Sequence, residues 1–298
     1  MQSLQRSKRP APASTPATRQ VTAPLGSDEL VTLVAVSLRV GTASVRTAAL
    51  TTALDAAFTG TTPGPRIVLL PGWTAGWPLS DSVVVDVCRR HSAAVRFERA
   101  QVGTGFWTSY DANGDTNGRR IHQWITDSGQ ADRQPDRVRD ILRRSAPGGE
   151  GTIHLAGVDV GLLCCGENNI LRCEQSHENR VSVRHDPQAS LFDHVAVVLN
   201  GAHTRMGNWG KLTKRFEYLS RGRRLALFIT NNLARAAGQP GTSWRGAVRA
   251  YFNGALLADG GGVLGAQRDV DVRVVADDAH DQACALVVRA KGSLLKAR

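Results

Sequence analysis

Gly157-Val158-Asp159-Val160-Gly161-Leu162-Leu163-Cys164-Cys165-Gly166-Glu167-Asn168-Asn169 carries the most informative pattern in the chain. An apolar strand runs directly into Cys-Gly-Glu, so one sulfur is delivered at a sharp strand-to-helix turn. Backbone N–H groups at such a turn lower a thiol pKa and hold an oxyanion. Upstream, residues 31–38 read as a buried strand, 43–58 as an Ala- and Leu-rich helix and 66–70 as a second strand ended by Pro71-Gly72. A helix over 80–91 and a strand at 94–97 complete a β-α-β-α-β run.

Residues 104–111 and 118–126 read as two strands around the turn-forming run Asp111 to Gly118. Pro135 opens a charged helix to Ser145, with proline in the first turn where its missing N–H costs nothing. Downstream, strands are expected at 194–199, 224–230, 246–252, 269–275 and 284–289, with a helix over 209–221. Strands alternating with helices, plus hairpins, imply an α/β layered domain.

Composition bounds the function. The 298 residues are 42% apolar and 21% charged, enough for a real core. No apolar run approaches the ~20 residues of a membrane helix, no export signal is visible, and no repeat or heptad is sustained. Five cysteines, an odd number with two adjacent, read as reduced thiols in the cytoplasm. Cys165, Cys173, His177 and His185 match no compact zinc spacing, so neither metal nor cofactor is expected. The net charge of +11 draws polyanions without sequence preference, so nucleic acid is expected to bind only non-specifically, if at all. Residues 1–28 hold four prolines and four basic residues, and read as a disordered tail before one domain over 29–298.

The elbow segment resembles the nucleophile strand of the nitrilase, or carbon–nitrogen hydrolase, superfamily: Gly-x-x-hydrophobic-Gly-hydrophobic-x-x-Cys-x-Asp/Glu. Cys165 fits the nucleophile position because Glu167 falls two residues later, whereas Cys164 falls one early. Residues 31–38 are similar to the family's first strand, and Ile67 to Pro71 followed by Gly76-Trp77 to its second. Val195 to Asn200, His203, Arg215, Leu219-Ser220 and Thr230 to Asn232 resemble its later half. The resemblance implies a four-layer αββα sandwich, a homodimer, and a Glu-Lys-Cys triad acting on a small amide- or nitrile-like ligand.

The chain departs from that triad. Gly72 stands where the family's glutamate follows the strand-two proline, and no lysine occurs between Lys8 and Lys211. Aligning His122 to Gln130 with the family's lysine block puts His122 at the lysine. Three readings follow. The first is a binding or regulatory module that keeps Cys165 but lacks standard amidase or nitrilase activity. The second is an active hydrolase or acyltransferase using Cys165 with a rebuilt base such as His122, Asp127 or Glu167. The third is a polyanion-binding protein. Trp73, Trp77, Phe106, Trp107, Tyr110 and Trp124 read as packing aromatics.

Overall fold

The computed structural model describes residues 25–39, 42–72, 79–99, 105–174, 180–203, 209–231, 244–276 and 282–296. The chain opens with β1 (Leu30–Leu38), α1 (Ala43–Phe58), β2 (Arg66–Leu69), α2 (Asp81–His91) and β3 (Ala94–Arg99). A hairpin of β4 (Phe106–Tyr110) and β5 (Thr116–Ile121) follows, then α3 (Ser128–Arg133) and α4 (Pro135–Ser145). The elbow region comprises β6 (Thr152–Leu155), β7 (Val158–Cys164), a 3-10 helix (Cys165–Ile170), β8 (Leu171–Cys173) and β9 (Val181–Val183). Next come β10 (Val197–Ala202), α5 (Trp209–Leu219), β11 (Leu225–Thr230), β12 (Val248–Phe252), β13 (Ala255–Asp259) and β14 (Gly262–Val263). The last elements are β15 (Val270–Ala276), β16 (Ala283–Lys291) and α6 (Gly292–Leu295).

Two seven-stranded sheets form, in the orders β15-β16-β1-β2-β3-β4-β5 and β14-β13-β12-β11-β10-β7-β6. They face each other across a core built from alternate residues: Val31, Leu33 and Ala35 of β1 share one apolar cluster with Val160, Leu162 and Cys164 of β7 and with Leu227 and Ile229 of β11. The other face of β1, through Val34 and Val36, packs on Leu50 and Leu54 of α1 and Val84 of α2. Across the molecule, Leu163 and Val198 pack on Ile141 of α4 and Phe216 of α5. Helix, sheet, sheet, helix is the αββα order the resemblance implied.

Local chemistry explains the elements. Thr42 caps α1 by accepting the Val45 N–H at 3.4 Å, and the buried positions 49, 50, 53, 54 and 57 follow helical spacing. Pro135 occupies the first turn of α4, as its sequence position required. Asp111 Oδ1 accepts the N–H groups of Asn113 and Asp115 and closes the β4–β5 turn.

Some boundaries differ from the sequence reading. The strand expected at 194–199 runs from Val197 to Ala202, because Val195 N–H is held in a turn by the Phe192 carbonyl at 3.1 Å. Strand β13 went unread, although Asn253-Gly254, at φ of 51° and 80°, is the two-residue hairpin signal that precedes it. Short α3 and the β8–β9 pair also lacked a periodic signal. The first 24 residues lie outside the described part, while Leu25 is already buried in the inter-sheet core. No described helix is long and apolar enough to cross a membrane.

Candidate active site

The two sheets bring three functional groups to one end of the sandwich. Strand β7 ends at Cys164, and Cys165 opens the 3-10 turn beyond it. Strand β10 lies parallel beside β7 with Gly201 opposite Cys164, so the residue just past β10, His203, arrives next to Cys165. The His203 backbone N–H donates to Cys165 Sγ at 3.2 Å. From the facing sheet, Glu98 of β3 reaches across and pairs with His203 Nε2. Glu98 is 1% exposed. His203 therefore meets the half-buried thiol through its backbone N–H and the buried carboxylate through its imidazole.

Burial works against charging His203. Hydrogen bonds to Cys165 and Glu98, together with the Glu98 charge, outweigh it and lift the imidazole from 6.5 to about 9. At neutral pH His203 is an imidazolium. Cys164, its sulfur facing the inter-sheet core, is pushed up well above the ordinary thiol range, chiefly by burial and then by Glu167. The adjacent thiols are thus placed in opposite settings. Cys165 sits against donors, and Cys164 is a buried neutral thiol.

Gly72 acquires a physical meaning here. A Cβ built on it would fall inside the van der Waals shell of His203 Cδ2 and lie 2.9 Å from Glu98 Oε2. Gly72 is thus pressed against the imidazole, and the carboxylate that pairs with it comes from the neighbouring strand at Glu98. The Gly72 N–H donates to the Ala202 carbonyl at 3.1 Å and its own carbonyl accepts from Asn231 Nδ2, locking the turn between the sheets. We expect Gly72→Ala to displace the imidazole and slow Cys165 alkylation by about 10²-fold, the usual penalty for an ångström of misplacement. Stopped-flow alkylation of the folded variant measures it, and an unchanged rate would remove His203 from the site.

A buried polar frame fixes the elbow. Asn200 Nδ2 faces the carbonyls of Leu163, Cys164 and Cys165 at 2.9, 3.1 and 3.4 Å, while its Oδ1 accepts from Asn168 Nδ2 at 2.8 Å. Arg215 of α5 donates to Asn168 Oδ1 and Asn169 Oδ1, each at 2.9 Å. Glu167, fully buried, accepts the N–H groups of Trp124 at 3.0 Å and Cys164 at 2.9 Å and pairs with Arg144 of α4. The Asn168 and Asn200 side chains and both Glu167 oxygens are held by hydrogen bonds or by the Arg144 charge, which is what makes the turn rigid.

The other expected residues fall as follows. His122 is exposed, with Nδ1 on the Gly105 carbonyl at 3.0 Å and its ring tilted against Phe106; among the described residues no hydrogen bond joins it to Cys165. Asp127 caps α3, and the Gln130 N–H holds its carboxyl below the usual range. Glu167 is committed to Arg144. Cys173 Sγ rests on the Lys211 carbonyl and His185 Nε2 on the Ala131 carbonyl, while His177 lies outside the described residues. Trp73 and Trp77 also lie outside them, whereas Trp107 is fully buried between the sheets. Sequence reasoning gave no role to Glu98 or His203. The available signal was Arg96-Phe97-Glu98, where charged residues alternate with an apolar one in the buried part of a strand.

Comparison with known proteins agrees with this architecture. A carbon–nitrogen hydrolase from Helicobacter pylori superposes with a TM-score of 0.53 at 9% identity, covering 90% of this chain and 91% of that one. A glutamine-dependent NAD(+) synthetase from Cytophaga hutchinsonii gives 0.51 at 9% identity, covering 88% of this chain but 43% of the synthetase. No family model matches the sequence, and no curated protein matches it. Such low identity with such full coverage is a likeness of backbone alone: this chain has a divergent form of the nitrilase-superfamily, carbon–nitrogen hydrolase fold.

Proposed function

We propose that this protein is a thiol-dependent hydrolase or acyltransferase acting on a carbon–nitrogen bond of a small amide-like substrate. In this reading Cys165 is the nucleophile, with His203 and Glu98 in place of the family's Glu-Lys pair. The observation that carries it is His203, whose backbone N–H meets Cys165 Sγ at 3.2 Å while its imidazole pairs with buried Glu98.

The chemistry follows from the arrangement. An ordinary thiol is mostly protonated at neutral pH, and an adjacent imidazolium stabilises the thiolate. Cys165 Sγ attacks the acyl carbon, and the carbonyl electrons move to oxygen. As the tetrahedral species collapses, the C–N bond breaks and His203 gives its proton to the departing nitrogen. A thioester on Cys165 remains. Neutral His203 then takes a proton from water, or from an acceptor nucleophile, which attacks the thioester and releases the acyl product. Glu98 keeps the imidazole oriented and favours its charged form throughout.

A second reading, a binding module without turnover, rests on Gly72 and the missing lysine. The two are separated by alkylating Cys165 with iodoacetamide across pH and by assaying a panel of small amides with Cys165→Ala as control. The proposal expects alkylation at pH 7 well above that of free cysteine, and amide turnover that Cys165→Ala abolishes. It is overturned if Cys165 alkylates no faster than free cysteine and no amide turns over.

The pH dependence has a definite sign. The folded imidazole titrates near 9 against 6.5 when free, so its stabilising contribution is complete below about pH 6.5 and is lost as pH rises through 9. Both stability and the proton-donating step should fall on that alkaline limb. Chemical-denaturation midpoints between pH 6 and 10 check the first. His203→Gln should flatten the curve over that interval.

A further inference from the structure

The Gly72 peptide is held on both sides. Its N–H donates to the Ala202 carbonyl at 3.1 Å, and its carbonyl accepts from Asn231 Nδ2. Between those links its Cα faces the His203 imidazole, where an added Cβ would also lie 2.9 Å from Glu98 Oε2. The ring position therefore depends on where the Gly72 turn is pinned. Ala202 pins it from β10, and Asn231 pins it from just past β11. Strands β10 and β11 run parallel with Ala202 opposite Thr230, so His203 and Asn231 are the next residues along neighbouring strands. Gly72 follows β2 of the facing sheet, so the bond from Asn231 crosses between the sheets at the level of the imidazole. One residue earlier, the Ser37 hydroxyl of β1 donates to the Thr230 carbonyl at 2.6 Å, a second cross-sheet bond that does not involve Gly72.

An asparagine amide offers either its oxygen or its nitrogen, and α1 decides which one faces Gly72. Arg46 Nη2 donates to Asn231 Oδ1 at 3.3 Å, and both residues are 4% exposed. A guanidinium only donates and a carbonyl only accepts, so one orientation of the amide satisfies both neighbours. Burial lowers Arg46 to about 10, which leaves it charged at neutral pH. Among the described residues no carboxylate pairs with it, so the Asn231 oxygen is the acceptor that its Nη2 finds.

We propose that Asn231, oriented by Arg46, is a positioning residue for the reaction at Cys165: it holds Gly72 where the glycine sets the His203 imidazole. Asn231 acts on the site through the Gly72 turn, and Arg46 acts through Asn231. The role rests on the hydrolase or acyltransferase reading given above.

The measurement is the rate of Cys165 alkylation by iodoacetamide at pH 7, followed by mass spectrometry on the full chain. Asn231→Asp keeps the side-chain size and the acceptor for Arg46, gives that cation a carboxylate, and takes the donor away from Gly72. It should stay folded by circular dichroism and alkylate about tenfold more slowly than the parent, part of the ~10²-fold that an ångström of misplacement costs. Asn231→Ala, which cuts both links, should show the same slowing and serves if the Asp variant does not fold. Ser37→Ala removes the neighbouring cross-sheet bond and should alkylate within twofold of the parent. Adding the Asn231 substitution to Gly72→Ala should slow the reaction no further than Gly72→Ala alone, since both act through one contact. The role is overturned if the folded Asn231 variant alkylates within twofold of the parent, if Ser37→Ala slows the reaction equally, or if the two losses multiply in the double variant. A parent thiol no faster than free cysteine overturns the hydrolase reading and this role with it. A fast parent with an unaffected Asn231 variant overturns this role alone.

Discussion

Replacing His203 with alanine should lower amide turnover by about 10²–10⁴, the range for losing a positioned general acid–base. The Cys165 sulfur would keep the backbone N–H of residue 203, which donates at 3.2 Å, and would lose the imidazolium. Glu98, 1% exposed, would also be left buried without its partner. Loss of stability therefore accompanies loss of rate, and the two need separate measurement. Glu98→Gln is the companion variant, because it keeps the shape and a hydrogen-bond acceptor and removes only the charge. It should move the alkaline limb down towards the ordinary histidine range while leaving substrate KM little changed. Steady-state assays from pH 6 to 10 on folded protein decide the matter. Turnover by His203→Ala within threefold of the parent would exclude the imidazole as the proton carrier.

The second large effect is on stability. Arg144 and Glu167 are 4% and 0% exposed in their side chains and pair with each other. Arg144 also donates to the His122 carbonyl at 3.1 Å and lies 4.8 Å over the Trp124 ring. Arg144→Met strands the Glu167 carboxylate inside the protein, at a cost of about 3–5 kcal/mol. For a chain of this size that lowers the melting temperature by about 10 °C. Removing both charges, as Arg144→Met with Glu167→Met, should recover part of the loss, because no buried ion is then left unpaired. Differential scanning calorimetry of the single and double variants measures this. A single variant within 2 °C of the parent would show that Glu167 finds another partner.

Much of the fold was legible in one dimension because its signals are local. The two-sided apolar run of β1 reads as a strand buried on both faces, and Pro135 followed by Val138, Ile141 and Arg144 reads as one face of a helix. The elbow at Cys165 is likewise a contiguous pattern. It was placed correctly at the end of its strand, although the turn beyond it is a 3-10 helix held by Asn168, Asn169 and Asn200.

The site was legible only in part. The sequence by itself determined the layered fold and the strand that presents Cys165, with Gly72 after Pro71 and no lysine between Lys8 and Lys211. It could not assign the partners of that thiol. Glu98 and His203 are 105 residues apart and belong to different sheets, so no spacing or periodicity connects them. Their meeting depends on the register of β3 in one sheet, on β10 lying parallel to β7 in the other, and on how the two sheets stack. His122, close to Cys165 by family alignment, points instead to the Gly105 carbonyl. Gly72 reads in the sequence as a glycine in place of the glutamate that the resemblance expects, and in the structure it is a close-packed contact, since only a residue without a side chain leaves room there for the imidazole. Local patterning selects the elements, but charge pairing across a sandwich is settled by packing, because a buried imidazolium and carboxylate are stable only where the two sheets bring them together.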